Sequence, residues 1–124
     1  MNIKKNVLLL LFVVSLINCD KLFAATLEVG VGQTYTTIQS AITAATSGDI
    51  INVHSGTYTE TVTITKPLIV QRNTGDSPII SGNVVITTGI DQVIVDGFTI
   101  TGGSGAGVYV RNSNRITIKN NTIY

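Results

Sequence analysis

The sequence predicts an all-β fold, a parallel β-helix (solenoid) of about three coils capped by a short N-terminal α-helix. The first reason is an internal echo, because Val93–Ile100 is repeated 23 residues later by Ile116–Ile123, with β-branched residues in five of the eight columns. In the same alignment Gly97 is paired with Asn120, and these two residue types most readily adopt the left-handed backbone conformation of a sharp bend. The second reason is that short β-branched runs alternate with turn clusters throughout the chain after Gly48. A repeat period in the twenties is typical of stacked solenoids.

The N-terminal part of this fold is expected to be one strand and one helix. Leu27–Val31 alternates apolar and polar residues, which predicts a short strand. Thr37–Ala45 is predicted to be helical because apolar residues recur within it at i, i+3, i+4 and i+7. Thr36 and Gln39 fit a capping box at its start, and Gly48 is expected to end it. Such a helix would cover the open first coil, as terminal elements of solenoids do.

Ten short strands are expected after the helix, in groups of three whose successive coils open at Leu68, Val93 and Ile116. They are Ile50–Val53, Thr61–Thr65, Leu68–Gln71, Ile79–Ile80, Val84–Ile86, Val93–Asp96, Phe98–Thr101, Val108–Val110, Arg115–Lys119 and Thr122–Tyr124. A strand this short cannot bury its apolar face alone, but stacked coils pack like residues on one another at about 4.8 Å. The alternative is a small antiparallel sandwich or barrel, which the echo and the lack of regularly spaced two-residue hairpin turns disfavour.

Residues 1–25 are predicted to be a signal peptide. Lys4 and Lys5 precede an apolar run, and a small-residue zone follows in which cleavage after Ala24 or Ala25 is expected. The run is about 11 residues long, too short for a helix that spans a bilayer. Cys19 is the only cysteine. It is expected to leave with the signal peptide, and lipid anchoring at a lipobox-like site is the alternative.

Beyond the signal peptide, residues 26–49 are predicted to form the strand and capping helix, and residues 50–124 the coils, truncated at the C-terminus. Residues 26–124 carry five Lys or Arg side chains against six Asp or Glu. This balance and the absence of a basic stripe exclude nucleic acid as the expected partner. Arg111, Arg115 and Lys119 are interpreted as solubilising charge and not as an anion site.

Three segments near the start of the mature chain carry a resemblance: Tyr35–Ile42, Gly48–Val53 and Gly56–Glu60. Together they resemble the entry of the pectin-lyase-like superfamily of right-handed parallel β-helices, as in pectin methylesterases. Val95–Ile100 and Asn120–Ile123 are similar to the coils of carbohydrate-binding and sugar-hydrolase β-helix repeats. The resemblance implies a right-handed coil and a link to carbohydrates. The aspartate motifs on which pectin methylesterases, pectate lyases and polygalacturonases depend are absent, so no catalytic residue is carried over.

Two titratable residues of the first coil are interpreted structurally. His54 is the sole histidine, and without nearby ligands it is expected to be a solvent-facing turn residue instead of a metal ligand. For Glu60, a substrate contact is the functional alternative. The favoured interpretation is that Gly56 makes a bend while Tyr58 and Glu60 fix the first coil under the cap.

The remaining chemical candidates also favour structural roles. Asp91 and Asp96 could form an acid–base pair, but Asp96 aligns with Lys119, which predicts a surface ion pair instead. Asp49 and Asp76 are expected to be ordinary turn residues. Gly102–Gly107 is read as a flexible turn between coils because a strand follows it and a phosphate loop needs a helix there. Asn120-Asn121-Thr122 matches a glycosylation sequon, a short pattern that often occurs by chance.

The sequence therefore predicts an exported β-helix module, secreted, periplasmic or at the cell surface, that is structural or carbohydrate-associated and performs no catalysis. No catalytic or metal-ligating residue and no cofactor is expected, and the ligand-binding residues are unknown. The alternative is the N-terminal part of a polysaccharide lyase or pectin esterase with its active site in later coils, and only a lyase would need calcium. The expected partner is a polysaccharide. The mature form is not expected to span a membrane, and further coils or self-association would cover its open C-terminal edge.

Overall fold

The computed structural model describes residues 23–124, in which twelve short strands and one helix follow one another along the chain. Their bounds are β1 Thr26–Val29, α1 Ile38–Ala44, β2 Ile50–Val53, β3 Thr57–Tyr58, β4 Val62–Ile64, β5 Ile69–Arg72, β6 Ile79–Ile80, β7 Val84–Ile86, β8 Ile94–Asp96, β9 Thr99–Ile100, β10 Val108–Val110, β11 Thr117–Lys119 and β12 Thr122–Ile123. The predicted signal peptide and Cys19 lie outside the described residues, apart from the cleavage zone at residues 23–25.

The strands form three parallel sheets that run along the stacking axis. Sheet A has the order β1-β2-β5-β8-β11, sheet B has β12-β9-β6-β3, and sheet C has β10-β7-β4. Coil 1 is β2–β4, coil 2 is β5–β7 and coil 3 is β8–β10, while β11 and β12 belong to coil 4. The predicted parallel β-helix is therefore confirmed, with β1 as the outermost strand of sheet A beside the helix.

The number of coils differs from the expected three, because the structure has about four turns. The additional turn is coil 1, since the expected strands Ile50–Val53 and Thr61–Thr65 precede the three coils that open at Leu68, Val93 and Ile116. Thr57–Tyr58 is not among the expected strands, yet it pairs in parallel with β6 and completes this coil. Coil 1 is also short, since Ile50 pairs with Ile69, nineteen residues later. A search for a 23-residue period therefore starts one coil too late.

The echo corresponds to the pairing of the last two coils. Thr117–Lys119 lies in register with Ile94–Asp96, and Thr122–Ile123 with Thr99–Ile100. The aligned bend residues both have positive φ, +89° at Gly97 and +55° at Asn120. The alignment of Gly with Asn thus marks a left-handed bend between sheets A and B, as the sequence predicts.

The core is a set of inward-facing columns that cross the coils. In sheet A, Leu27, Ile51, Val70, Val95 and Ile118 occupy successive positions of one column. Its three central members are at most 1% exposed. Removing one such side chain from water stabilises the fold by about 1.5–3 kcal/mol, so the aliphatic columns supply most of the driving force.

Helix α1 covers the end of coil 1, as predicted, and buries Ile38, Ala41 and Ile42. Its predicted caps are wrong. Thr37 and not Thr36 is the N-cap, and its side chain accepts from the Ser40 N–H. The helix ends at Ala44, so Gly48 lies beyond it in the turn before β2.

Charged side chains from coil 1 hold both ends of α1 instead. The Glu60 carboxylate accepts from the backbone N–H groups of Ile38 and Gln39, both at 2.9 Å. The Lys66 ammonium donates to the carbonyls of Ile42, Thr43 and Ala45. The side chain of Gln39 hydrogen-bonds to the backbone of Thr63 and not back to the N-cap residue.

Among residues 23–124, no helix has the length and apolar character of a membrane-spanning segment.

Candidate functional site

The outer face of sheet A presents two parallel rows of side chains. Alternation along each strand points every second residue outward. One outward column, here called the polar row, consists of Glu28, Asn52, Gln71, Asp96 and Lys119. Two residues earlier on three of these strands lies the isoleucine row, Ile50, Ile69 and Ile94. Successive members of a row are about 4.8 Å apart, which makes this face an amphipathic strip along the solenoid.

Two surface hollows lie on this face. The first, of about 330 Å³, includes Ile69 and Ile94 of the isoleucine row together with Gln92, Arg115 and Thr117. The second, of about 260 Å³, is lined by Gln71, Arg72, Thr74, Gly75, Asp96 and Asn120. Both hollows take residues from β5 and β8, so an apolar and a polar depression adjoin on the same strands. Amide, guanidinium and carboxylate groups beside aliphatic side chains suit a ligand with hydroxyl groups and C–H faces.

A hydrogen-bonded cluster, here called the His54 cluster, lies where β2 ends and consists of Glu28, Asn52, His54, Asn73 and Asp76. His54 Nε2 is 2.6 Å from Glu28 Oε2, and its Nδ1 is 3.3 Å from Asp76 Oδ2. Asn52 donates to Glu28 Oε2 at 2.9 Å and to Asn73 Oδ1 at 3.0 Å. The expectation of a solvent-facing His54 needs correction, because its ring bridges two carboxylates and its side chain is 28% exposed.

The carboxylate of Asp76 accepts hydrogen bonds from two side chains. Its oxygens accept from the Asn73 amide at 2.8 Å and from the Ser55 hydroxyl at 2.7 Å. These hydrogen bonds hold the pKa of Asp76 below its ordinary value, and nearby His54 acts in the same direction. Asp76 is therefore part of a network across coils 1 and 2, which the expectation of an ordinary turn residue did not include.

The His54 cluster does not have the form of a metal centre. The two ring nitrogens of His54 face carboxylates on different strands, Glu28 on β1 and Asp76 beyond β5. Within residues 23–124 no three side chains of His, Cys, Asp or Glu converge on a common point. The expectation that the chain has no metal or cofactor stays a prediction.

Asp91 and Asp96 have separate partners and do not form a pair. Asp96 lies 3.4 Å from the ammonium of Lys119, which confirms the predicted ion pair, and it also accepts from the Asn120 amide at 2.8 Å. Asp91 accepts from the Asn114 N–H at 2.8 Å and faces an Arg115 nitrogen at 3.7 Å. Of the three basic residues near the end of the chain, Arg115 and Lys119 are therefore paired with carboxylates of the preceding coil.

Asp49 differs from the expected turn aspartate because it is buried, with 6% of its surface exposed. Its Oδ1 accepts from the Ala25 N–H at 2.9 Å, and its Oδ2 accepts from the Thr46 N–H at 2.8 Å and from the Thr46 hydroxyl. Burial raises the pKa of Asp49, but the hydrogen bonds from Thr46 and Ala25 together with nearby Lys66 outweigh it, so the pKa lies below its ordinary value.

The glycine-rich segment and the sequon occupy bends. Gly102–Gly107 lies between β9 and β10, inside coil 3 and not between coils, and strand β10 follows it as expected. Asn120 is exposed at its bend. Asn121 was not singled out from the sequence, yet its side chain accepts from the Phe98 N–H at 2.8 Å and donates to the Val95 carbonyl at 2.9 Å. Asn52 and Gln71 were also missed as site residues, although polar residues at alternate strand positions could have indicated them.

Comparison with known proteins gives one relative to report. A cell surface glycoprotein of Methanothermus fervidus is 38% identical over 95 residues, which is 73% of this chain. The chain spans only 16% of the length of that protein. No protein-family model matches the chain, and no solved structure is a significant match.

Proposed function

We propose that the chain is an exported cell-surface β-helix module that presents the outer face of sheet A to its surroundings and performs no catalysis. The observation that carries the proposal is the parallel solenoid itself, together with the likeness to a protein named as a cell surface glycoprotein. The predicted signal peptide at residues 1–25 supplies the route of export. Among residues 23–124, titratable side chains cap the helix, form ion pairs or join hydrogen-bond networks. These contacts support a structural role.

The ligand that suits this face best is a polysaccharide. The isoleucine row and the polar row lie side by side, so a sugar ring can place a C–H face on Ile69 and Ile94 while its hydroxyl groups bond to Gln71 and Asp96. The adjoining hollows widen the strip at β5 and β8. The resemblance to the pectin-lyase-like superfamily and to carbohydrate-binding β-helix repeats supports the same class of ligand.

Affinity electrophoresis in gels containing polygalacturonate or a neutral glucan tests this ligand class. We expect retardation of the protein by at least one polymer and a weaker effect on Gln71→Ala and Asp96→Ala. Each lost hydrogen bond of about 0.5–1.5 kcal/mol corresponds to a roughly two- to tenfold weaker affinity. Thr99→Ala, on the outer face of sheet B, is the matched control and should keep the original affinity. Equal mobility in all gels would contradict the carbohydrate assignment and leave a purely structural module.

The alternative that the chain belongs to a polysaccharide-active enzyme is tested by incubation with polygalacturonate and calcium. The proposal predicts no unsaturated uronide, because Asp96, the aspartate of the sheet A strands, is paired with the Lys119 ammonium and the Asn120 amide. Release of unsaturated product by the purified chain would overturn the non-catalytic assignment.

A further inference from the structure

We infer that the exported protein begins at Ala25 and that its new α-ammonium group forms an ion pair with the buried Asp49 carboxylate at the capped end of the solenoid. The inference rests on the proposed export of the chain. It decides between two cleavage positions, after Ala24 and after Ala25, that the sequence leaves open.

Both backbone polar groups of Ala25 are hydrogen-bonded to other parts of the fold. Its N–H donates to Asp49 Oδ1 at 2.9 Å, and its carbonyl accepts from the Ile50 N–H at 2.8 Å, which begins the pairing of sheet A. Phe23, by contrast, is 84% exposed and Ala24 is also exposed. Cleavage after Ala25 would remove a donor from a buried carboxylate and an acceptor from β2. Cleavage after Ala24 removes nothing that the described fold uses.

The cleavage reaction strengthens this contact. A signal peptidase adds water across the Ala24–Ala25 peptide bond, so that the C–N bond breaks, the hydroxyl joins the Ala24 carbonyl carbon and the nitrogen gains a proton. At neutral pH the products are a carboxylate on Ala24 and an ammonium on Ala25. The nitrogen that carried one neutral N–H thereby becomes a charged triple donor, and charge-assisted hydrogen bonds are roughly twice as strong as neutral ones.

Asp49 is already oriented for this role. Thr46 holds its other oxygen through a backbone and a hydroxyl donor at 2.8 and 3.1 Å. The carboxylate is 6% exposed, and a buried charge is stable only when it is paired and hydrogen-bonded. The other charged group near it is Lys66, whose ammonium is bonded to carbonyls at the end of α1. An ammonium at Ala25 gives Asp49 a counter-charge in direct contact.

N-terminal sequencing of the exported full-length product tests the cleavage position. The inference predicts a chain that starts Ala25-Thr26-Leu27. A start at Thr26, or at any other residue, would overturn the inference while leaving export intact. A product of uncut full-length mass that stays inside the cell would overturn the proposed function instead.

Thermal unfolding across pH tests the ion pair itself. Three forms are compared: a chain with a free amine at Ala25, the same chain acetylated at Ala25, and a chain that starts at Thr26. An ammonium paired with Asp49 has a folded pKa above its unfolded value of about 7.7–8.0. Its stabilisation is complete below that value and is lost as the pH rises through the folded pKa.

The free-amine form should therefore lose several degrees of Tm between about pH 7 and 10 beyond the loss of the acetylated form. The other ionisable side chains are present in both forms, so their contributions cancel in the comparison. The Asp49→Asn variant should abolish the difference, and the Thr26 form should have the lowest Tm at pH 7. Parallel profiles for the free and acetylated forms would show that no ion pair exists.

Discussion

Single charged residues of coil 1 hold the capping helix in place. The N–H groups at a helix start carry partial positive charge and the carbonyls at its end carry partial negative charge. Glu60 and Lys66 match these charges from a neighbouring coil, more than twenty residues away in sequence. Glu60 thus has the structural role that the sequence favoured, by a contact that the sequence did not show.

Replacing Glu60 tests this role. Glu60→Ala should lower the free energy of unfolding by about 1–2 kcal/mol in urea titrations, because two N–H groups at the helix start lose their acceptor. Thr59→Ala, at the exposed neighbouring position, should change stability by less than about 0.5 kcal/mol. If both variants unfold at the same urea concentration, Glu60 does not support the helix.

Asp49 predicts a defined dependence of stability on acid. Its folded pKa lies below the ordinary value of 3.8, so its contribution is present above that value and is lost as the pH falls through the folded pKa. At pH 7, Asp49→Asn should cost about 1–3 kcal/mol, since a buried acceptor is lost. Below pH 4 the difference from the parent should shrink, as measured by thermal unfolding from pH 7 to 2. Asp91→Asn is the control and should follow the parent closely, whereas a constant gap for Asp49→Asn at all pH values would contradict the account.

Between elements, the coils approach one another so closely that one position accepts only glycine. An ideal Cβ on Gly82 would lie 2.1 Å from the carbonyl oxygen of Glu60, in the coil beneath it. A Cβ on Gly103 would meet nothing within 4 Å, in the turn of coil 3. At Gly82 the backbones of coils 1 and 2 therefore lie too close together for a side chain.

Alanine substitution at these two glycines should have opposite effects. Gly82→Ala should destabilise the fold by about 1–3 kcal/mol or more, because the backbone of one coil must move. Gly103→Ala should be neutral or stabilise by up to about 1 kcal/mol through the unfolded chain. Denaturant titrations of both variants measure the difference, and similar values for the two would argue against the coil spacing described here.

The strands were largely predictable because each is defined locally by β-branched residues between turn residues. The strand Thr57–Tyr58 was not, since two residues give no alternation and Gly56 marks a bend. The contacts that cap α1 and those within the His54 cluster also could not be predicted from the sequence. They depend on which residues of different coils share a register, and the offset between neighbouring strands of sheet A is not constant. It is nineteen residues from β2 to β5, twenty-five from β5 to β8 and twenty-three from β8 to β11. Only where the offset repeats, as for Asp96 and Lys119, was the contact predicted.

At the scale of the whole molecule, the solenoid has two unlike ends. Helix α1 covers the first coil, whereas β10, β11 and β12 are the last strands of their sheets in the described chain. Exposed apolar side chains lie on or directly after these last strands: Val110, Ile123 and Tyr124 are 44%, 47% and 80% exposed. That further coils or self-association cover these strands stays a prediction.

Cysteine labelling on intact cells that make the full-length chain tests the central claim most directly, because it reads location and fold together. Gln71→Cys lies in the outward polar row, and Val70→Cys lies in the inward column where the parent side chain is 1% exposed. A large, membrane-impermeant maleimide should label Gln71→Cys and not Val70→Cys, and both should react after denaturation. The unsubstituted chain controls for Cys19. Labelling of neither variant until the cells are lysed would contradict surface exposure, and equal labelling of both on intact cells would contradict the β-helix.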